Sequence, residues 1–81
     1  MKPIHLSGYG VKIKVKNLRS RSDLDITNGH HDFGEIPSHY FFRPRRIPYD
    51  SIIIDGHSGY ISLQAFHWLS RNKVPVFILN F

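Results

Sequence analysis

The 81-residue chain contains no cysteine, so it has neither a disulfide framework nor a thiolate ligand for a metal ion. This absence fits the reducing cytoplasm, which is the compartment we expect for the chain. No apolar run approaches the roughly 20 residues that a membrane-spanning helix needs, and the first residues lack the apolar segment of a signal peptide. We therefore expect no membrane partner.

Acidic residues are also scarce. Six aspartates and glutamates stand against eleven lysines and arginines, which gives a net charge of +5. This excess favours an anionic partner, of which nucleic acid is the commonest. A chain of this length forms one small domain, residues 1–81, and buries only about 60–65% of its unfolded surface, so that a partner surface would add stability.

Short apolar segments predict the strands. Residues 11–16 alternate strictly between apolar residues and lysine, so the apolar residues face the core and Lys12, Lys14 and Lys16 share the other face. Asn28-Gly29 is typical of a hairpin turn that closes a strand at residues 24–27. Further strand candidates lie at residues 4–6, near Phe33, and at residues 39–42, 51–55 and 74–79.

Residues 47–81 contain the segment around which the rest of the chain is organised. A β-branched run at residues 51–55 is followed by Ser62, which can cap a helix over about residues 63–72, and then by a second apolar run. Strand, helix and strand with short joints predict a βαβ unit. We predict a small β-rich α+β domain with about six to seven short strands, in a mixed sheet or sandwich, and one amphipathic helix in this terminal unit.

The helix has an apolar arc and a polar arc. At about 100° per residue, the predicted core face consists of Leu63, Ala65, Phe66 and Leu69. Trp68 falls at the boundary of this arc. It either covers the edge of the core or is buried by a second subunit, since aromatic residues concentrate at interfaces.

Two basic clusters are candidates for binding an anion. The ladder of Lys12, Lys14 and Lys16 could follow a nucleic-acid backbone, or it could be a solvated face that discourages edge-to-edge aggregation. A second cluster, Arg43, Arg45 and Arg46, favours the anion because guanidinium groups bind phosphate in a bidentate way. Nearby aromatic residues could stack on bases where they are exposed.

Two further groups of polar residues have alternative interpretations. His30, His31, Asp32, Glu35 and His39 have the ligand types for zinc or manganese, but their spacing matches no known zinc pattern, and we predict no metal site.

The turn with Asp55, His57 and Ser58 contains a nucleophile and a base. Consecutive turn residues rarely converge as a triad requires, so a phosphate resting at the following helix N-terminus is the better alternative there.

Four separated segments form an ordered series: SGYGVKI at residues 7–13, PYDSIIIDGHSGYIS at 48–62, A-x-x-W-L at 65–69 and VPVF at 74–77. Together they resemble the N-terminal domain of the CRISPR-associated spacer-acquisition integrase, a metal-dependent nuclease of CRISPR adaptation. The resemblance covers almost the whole chain, and residues 28–39 are its least anchored region.

The resemblance implies a β-rich N-terminal domain that forms a homodimer and supports duplex DNA. It implies a following helical domain with metal-binding Glu, His and Asp for Mg²⁺ or Mn²⁺, and a small ferredoxin-like partner of the full-length protein. Because the chain ends at Asn80 and Phe81, we expect that catalytic domain to be absent and the chain alone to be inactive. Tyr9 falls where some members place an aromatic that braces the duplex end, and residues 56–60 fall near the DNA-facing platform.

Three hypotheses follow. The first is the N-terminal part of a CRISPR adaptation integrase, a DNA endonuclease that inserts spacers. The second is a homodimeric interaction module without direct DNA binding. The third is a small enzyme that uses Asp55 and His57. For the first we predict a dimer contact at Trp68 and DNA contacts at Tyr9, Lys12, Lys14, Lys16, Arg43, Arg45 and Arg46.

Overall fold

The computed structural model of the chain describes residues 2–32 and 34–79. These residues form β1 (Pro3–Gly8), β2 (Val11–Asn17), β3 (Ser22–Thr27), β4 (His39–Phe42), β5 (Ser51–Gly56), β6 (Gly59–Ile61), α1 (Leu63–Arg71) and β7 (Val76–Ile78). The predicted β-rich α+β domain with one helix is thereby confirmed for the described part of the chain. The strand predicted near Phe33 centres on a residue that lies outside the described ranges. Met1, Asn80 and Phe81 also lie outside them.

The strands form two sheets. The first sheet has the order β1-β5-β7, and all its pairs are parallel. The second has the order β4-β3-β2-β6, in which β6 joins β2 in parallel and the other pairs are antiparallel. The βαβ unit is confirmed, because β5 and β7 pair in parallel on either side of α1 in the chain. The short strand β6 lies between β5 and α1 in sequence but belongs to the second sheet.

The connection between β3 and β4 differs from the prediction. Asn28 and Gly29 do not form a tight hairpin turn: β3 and β4 pair in antiparallel fashion across a long connection, with Thr27 opposite His39. The Asn28 side chain explains the difference, because its Oδ1 accepts the backbone N–H groups of Ser7 at 2.9 Å and of Gly29 at 2.8 Å. The bond from Ser7 ties the segment to β1, and the chain does not reverse at Asn28 and Gly29.

The core lies between the two sheets and under α1. Its buried apolar side chains are Ile4, Leu6, Val11, Ile13, Leu24, Ile26, Ile52, Ile54, Ala65, Trp68, Leu69 and Val74. The alternation of β2 is confirmed, since Val11 and Ile13 are buried while the three lysines are exposed. Burial of these side chains supplies the main favourable free energy of folding for so small a domain.

The buried face of α1 is a correction to the helical wheel. Leu63 and Phe66 are 77% and 43% exposed, whereas Trp68 is only 6% exposed. Trp68 is held by its own chain, because its indole N–H donates to the backbone oxygen of Ser22 at 2.8 Å. The face of α1 that is buried consists of Ala65, Trp68 and Leu69, so it is rotated from the predicted core face toward Trp68. The predicted N-cap is confirmed, as the Ser62 hydroxyl accepts the N–H of Ala65 at 3.1 Å.

Within residues 2–32 and 34–79, the structure contains no helix with the length and apolar character needed to cross a membrane.

Candidate nucleic-acid interface

The lysine ladder of β2 faces acidic residues of the neighbouring strand. In the β2–β3 register, Lys14 lies opposite Asp25 and Lys16 lies opposite Asp23. The Lys14 ammonium group is 4.0 Å from Asp25 Oδ2. Lys16 also lies over an aromatic ring, with its Nζ 5.5 Å from the centroid of Phe41. Two of the three predicted DNA-binding lysines therefore have acidic residues as cross-strand neighbours.

The two aspartates of β3 are buried although they point away from the core. Burial of a carboxylate is costly unless a partner compensates it. Asp25 has such a partner in His39 of β4, whose Nε2 lies 2.5 Å from Asp25 Oδ1. Asp23 accepts a hydrogen bond at 2.9 Å from Nε of Arg21. We call this set, Lys14, Lys16, Asp23, Asp25 and His39, the compensated sheet face, because its charges of both signs lie side by side.

The aspartates could have been found in the sequence. The segment SDLDIT alternates in the same way as VKIKVK, so its aspartates and the lysines must share a face once the strands pair. Lys12 is the exception in the ladder, since Thr27 of β3 lies opposite it on one side and Tyr60 of β6 on the other.

The second predicted cluster lies in the turn after β4 and has a different environment. Arg43, Arg45 and Arg46 are all exposed, and the turn is closed by the N–H of Arg46 donating to the backbone oxygen of Arg43 at 3.1 Å. The Arg45 N–H donates to Asn72 Oδ1 at 2.7 Å, so the turn is attached to the end of α1. Within the described ranges, none of these three guanidinium groups forms an ion pair. We call this segment the arginine turn.

Tyr9 is presented by a turn that is fixed on both sides. Gly8 has φ 92°, and a Cβ there would come 2.5 Å from the backbone oxygen of His30, so only glycine fits. The Tyr9 N–H donates to that oxygen at 2.8 Å, and the His57 N–H donates to the Gly8 oxygen at 2.7 Å. Tyr9 is 51% exposed, and its ring is stacked on the His57 ring with centroids 4.8 Å apart. A supported, exposed aromatic ring of this kind suits stacking on a base.

The catalytic alternative at the turn after β5 finds no support in its geometry. The His57 ring packs against Tyr9, and the Ser58 hydroxyl oxygen accepts the Gly10 N–H at 3.0 Å. Both side chains thus hold the turn that carries Tyr9. Neither is joined to the other by a hydrogen bond in the described part of the chain, as a nucleophile and its base would be.

The side chains of the histidine-rich segment are likewise engaged in hydrogen bonds within the chain. The Glu35 carboxylate accepts the backbone N–H groups of His31 at 3.0 Å and of Asp32 at 3.1 Å, and these two bonds lower the pKa of Glu35. His31 Nε2 pairs with the Ser7 hydroxyl at 3.0 Å, while His39 faces Asp25. Over residues 2–32 and 34–79, no three histidine or carboxylate side chains are grouped to hold a metal ion. The described residues thus do not fit the Mg²⁺ or Mn²⁺ that the resemblance implies for a separate domain.

An apolar groove of about 350 Å³ opens between the two sheets beside the first turn of α1. Several of its apolar lining residues are exposed at its rim, among them Tyr60, Phe66 and Ile78. The wheel prediction had assigned Phe66 to the core, so this surface was missed. Its signal was present in the sequence as an apolar arc wider than the helix could bury.

The predicted DNA contacts do not converge on one pocket. Tyr9 lies at the end of β1, the lysines lie on the outer face of β2, and the arginine turn lies at the end of α1. The molecule extends 37 Å along its longest axis, which is about the length of one turn of duplex DNA.

Comparison with known proteins gives a strong similarity to a solved structure. No protein-family model and no curated protein matches the chain. A solved structure described as a casposase bound to integration product matches 99% of this chain, with a TM-score of 0.83 and 38% sequence identity. The chain spans 21% of the length of that protein. The chain is thus similar, over nearly all of its residues, to part of a casposase, which supports an integrase-related domain.

Proposed function

We propose that this chain is an N-terminal, DNA-supporting domain of an integrase of the CRISPR-adaptation type. The observation that carries the proposal is the 38% identity over 99% of the chain to a casposase bound to integration product. Two features of the chain support contact with a polyanion: its net charge of +5 and the arginine turn, whose guanidinium groups form no ion pair with the described residues.

In this proposal the chain holds DNA, and another part of a longer protein carries out the chemistry. Endonuclease and integrase activity, a divalent Mg²⁺ or Mn²⁺ ion, and a small ferredoxin-like partner belong to the whole protein through the resemblance. The role proposed for this chain is to bind the duplex backbone through Arg43, Arg45 and Arg46 and to place Tyr9 against an exposed base. Because the Tyr9 ring is stacked on His57, it would meet a base without first being ordered.

The proposal is tested by binding of a fluorescently labelled short duplex at salt concentrations from about 50 to about 200 mM. We expect the logarithm of the binding constant to fall linearly with the logarithm of salt, with a slope near −0.9 for each phosphate contacted. Tyr9→Ala should weaken binding to a duplex with an exposed end more than binding to a covalently closed duplex of the same sequence. Absence of salt-dependent binding by the unaltered chain would contradict the proposal.

A second function, self-association, is favoured by the apolar groove. Its rim exposes Tyr60, Phe66 and Ile78, and burial of such a patch against a second copy would stabilise a small domain. The homodimeric module without DNA binding is the version of this proposal that needs no polyanion. Trp68 at the dimer interface stays a prediction, but a side chain that is only 6% exposed offers little area to a partner. The groove is therefore the better site for the contact.

The self-association proposal is tested by the mass of the chain in solution. Phe66→Ser should shift a dimer toward monomer, because Phe66 lines the groove. Leu63→Ser is the matched control, since Leu63 is an exposed leucine on the same helix that is not among the groove residues. Equal effects of the two substitutions, or a monomeric unaltered chain at high concentration, would contradict self-association through the groove.

A further inference from the structure

Two residues other than glycine adopt a left-handed backbone conformation in the described part of the chain. They are Arg45, with φ 62°, and Lys73, with φ 58°. This conformation strains an L-residue with a Cβ, and glycine adopts it without strain. Both residues are cations, and both belong to the same junction between the arginine turn and the end of α1. Strained positions that persist in a fold are a reason to look for a function.

Lys73 occupies the left-handed position that closes the C-terminal end of α1. The N–H of Val74 donates to the backbone oxygen of Leu69 at 2.9 Å, and the N–H of Lys73 donates to that of Ser70 at 3.2 Å. Bonds of this kind close a helix through one left-handed residue, and that residue is usually glycine. The chain has lysine there. The side chain of Lys73 therefore adds something that the helix end itself does not need.

Asn72 joins the two strained residues. Its Oδ1 accepts the Arg45 N–H at 2.7 Å, and its Nδ2 donates to the backbone oxygen of Trp68 at 2.8 Å. Lys73 follows Asn72 directly in the chain, so its Cα is about 3.8 Å from that of Asn72. The amide group thereby fixes the backbone of Arg45 beside that of Lys73, and it uses both of its polar atoms to do so.

Several cations lie at this junction. A helix C-terminus carries about half a negative charge, which favours one nearby cation. Here Lys73 and the three residues of the arginine turn bring four cations to the same end of α1, and none of them forms an ion pair within residues 2–32 and 34–79. Like charges held close together repel one another unless an anion binds between them.

We propose that Arg45 and Lys73, with Asn72 as their positioning residue, form a binding site for one phosphate group of a nucleic-acid backbone. The inference deepens the proposed DNA-supporting function and rests on it. The ligand is a phosphodiester oxyanion: Arg45 offers a planar pair of N–H donors and Lys73 a point charge. Asn72 does not contact the phosphate. It holds the Arg45 backbone where both side chains can reach the same phosphate.

The two glycine variants, Arg45→Gly and Lys73→Gly, test the site because they separate stability from binding. Each relieves left-handed strain, so we expect the melting temperature to rise by about 3–5 °C. Each also removes a phosphate contact, so the slope of log binding constant against log salt should become shallower by about 0.9, and duplex affinity near 0.1 M salt should fall roughly tenfold. Lys16→Gln removes one cation from the sheet face and is the matched control, because Asp23 already lies opposite Lys16. It should change affinity less than threefold.

The outcomes are distinct. Glycine variants that are more stable but bind duplex DNA as tightly as the unaltered chain would overturn the site, since the strain would then have no role in binding. The same holds if Lys16→Gln weakens binding as much as they do. If the unaltered chain shows no salt-dependent binding, the proposed function fails and the site fails with it.

The role of Asn72 requires a double-mutant cycle. Asn72→Ala should lower duplex affinity about threefold to tenfold in the unaltered chain and should have little further effect in the Arg45→Gly, Lys73→Gly background. A merely structural asparagine would give the same loss of affinity in both backgrounds. Equal losses would therefore remove Asn72 from the site, and melting temperatures would show that both Asn72 variants remain folded.

Discussion

The two basic regions of the domain have similar charges in sequence but opposite environments in the structure. On the compensated sheet face, Lys14 and Lys16 lie beside Asp25 and Asp23 of the adjacent strand. In the arginine turn, the guanidinium groups have no acidic partner in the described part of the chain. A lysine that already has a carboxylate neighbour gains less from a phosphate than an unpaired arginine does. Local density of cations is therefore a poor guide to an anion site unless the cross-strand neighbours are known.

The difference also has a structural cause. The β2 lysines are placed by a regular strand, whose partner is set by pairing register, and aspartates opposite lysines stabilise that register. The arginine turn is closed by its own backbone bond and is attached to the end of α1 by a hydrogen bond to Asn72. The charges of the sheet face thus help to hold two strands together, whereas the guanidinium groups of the arginine turn form no ion pair within the described residues.

The largest expected effect comes from removing each basic region in turn. Replacement of Arg43, Arg45 and Arg46 together by Gln should lower duplex affinity by about a hundredfold near 0.1 M salt, because up to three phosphate contacts are lost. Replacement of Lys12, Lys14 and Lys16 by Gln removes the same charge but should cost about tenfold or less. Fluorescence anisotropy titrations over a salt series measure both variants. Equal losses in the two variants would show that net charge alone sets affinity and that the distinction between the regions has no functional meaning.

A smaller effect is expected when the sheet face loses its compensation. Asp25→Asn removes the charge that faces Lys14 and His39, so Lys14 becomes available to an external anion. We expect duplex affinity to rise about threefold while stability falls by about 1–3 kcal/mol, since a buried hydrogen bond to a charged group is weakened. Urea unfolding and anisotropy measure the two quantities.

The matched control for this change is Asp32→Asn, which gives the same net charge at an exposed position. It should leave stability within about 0.5 kcal/mol of the unaltered chain. If both substitutions raise affinity equally, the gain reflects net charge and not the release of Lys14.

A still smaller effect is expected for the exposed member of the pair alone. Lys14 is about half exposed and lies 4.0 Å from the Asp25 oxygen, so the ion pair is screened by solvent. Lys14→Gln should therefore change the free energy of unfolding by about 0.5 kcal/mol or less. Asp25 keeps its closer partner His39 in this variant. A loss above about 1 kcal/mol, measured by urea unfolding, would show that Lys14 compensates the buried carboxylate to a degree its exposure does not suggest.

Sequence patterns predicted the elements better than their partners. The alternation of β2, the cap at Ser62 and the βαβ unit follow from short-range rules, and the structure confirms all three. The face of α1 did not follow, because an apolar arc wider than the core can bury leaves the choice to tertiary contacts such as that of Trp68 with Ser22.

The candidate site was predictable only in part. The basic residues were evident from composition, and Tyr9 was evident from its resemblance to a family motif. The hydrogen bond from Arg45 to Asn72 joins residues 27 positions apart in the chain, so no local sequence pattern predicts it. The register between β2 and β3 is also absent from local patterns, because the aspartates of β3 lie opposite the lysines of β2 only after the two strands have paired. Sequence patterns therefore did not predict which residues surround each basic region, and these neighbours are what distinguish the two regions.

The smallest effect is expected at a third charged group, the Glu35 carboxylate, which is bound by backbone N–H groups. Glu35 is fully exposed, and the backbone N–H groups of His31 and Asp32 that it accepts lower its pKa below the usual value of a glutamate. Because the carboxylate form is favoured in the folded chain, its contribution to stability is present above the unfolded pKa and is lost as the pH falls through the folded value. We expect the amide protons of His31 and Asp32 to exchange faster with solvent once the pH falls below the pKa of Glu35, without unfolding of the sheets. In Glu35→Gln this pH dependence should vanish, because the side chain keeps an oxygen acceptor but no longer titrates. Exchange that stays constant through the titration of Glu35, followed by NMR, would show that these two hydrogen bonds do not hold the loop.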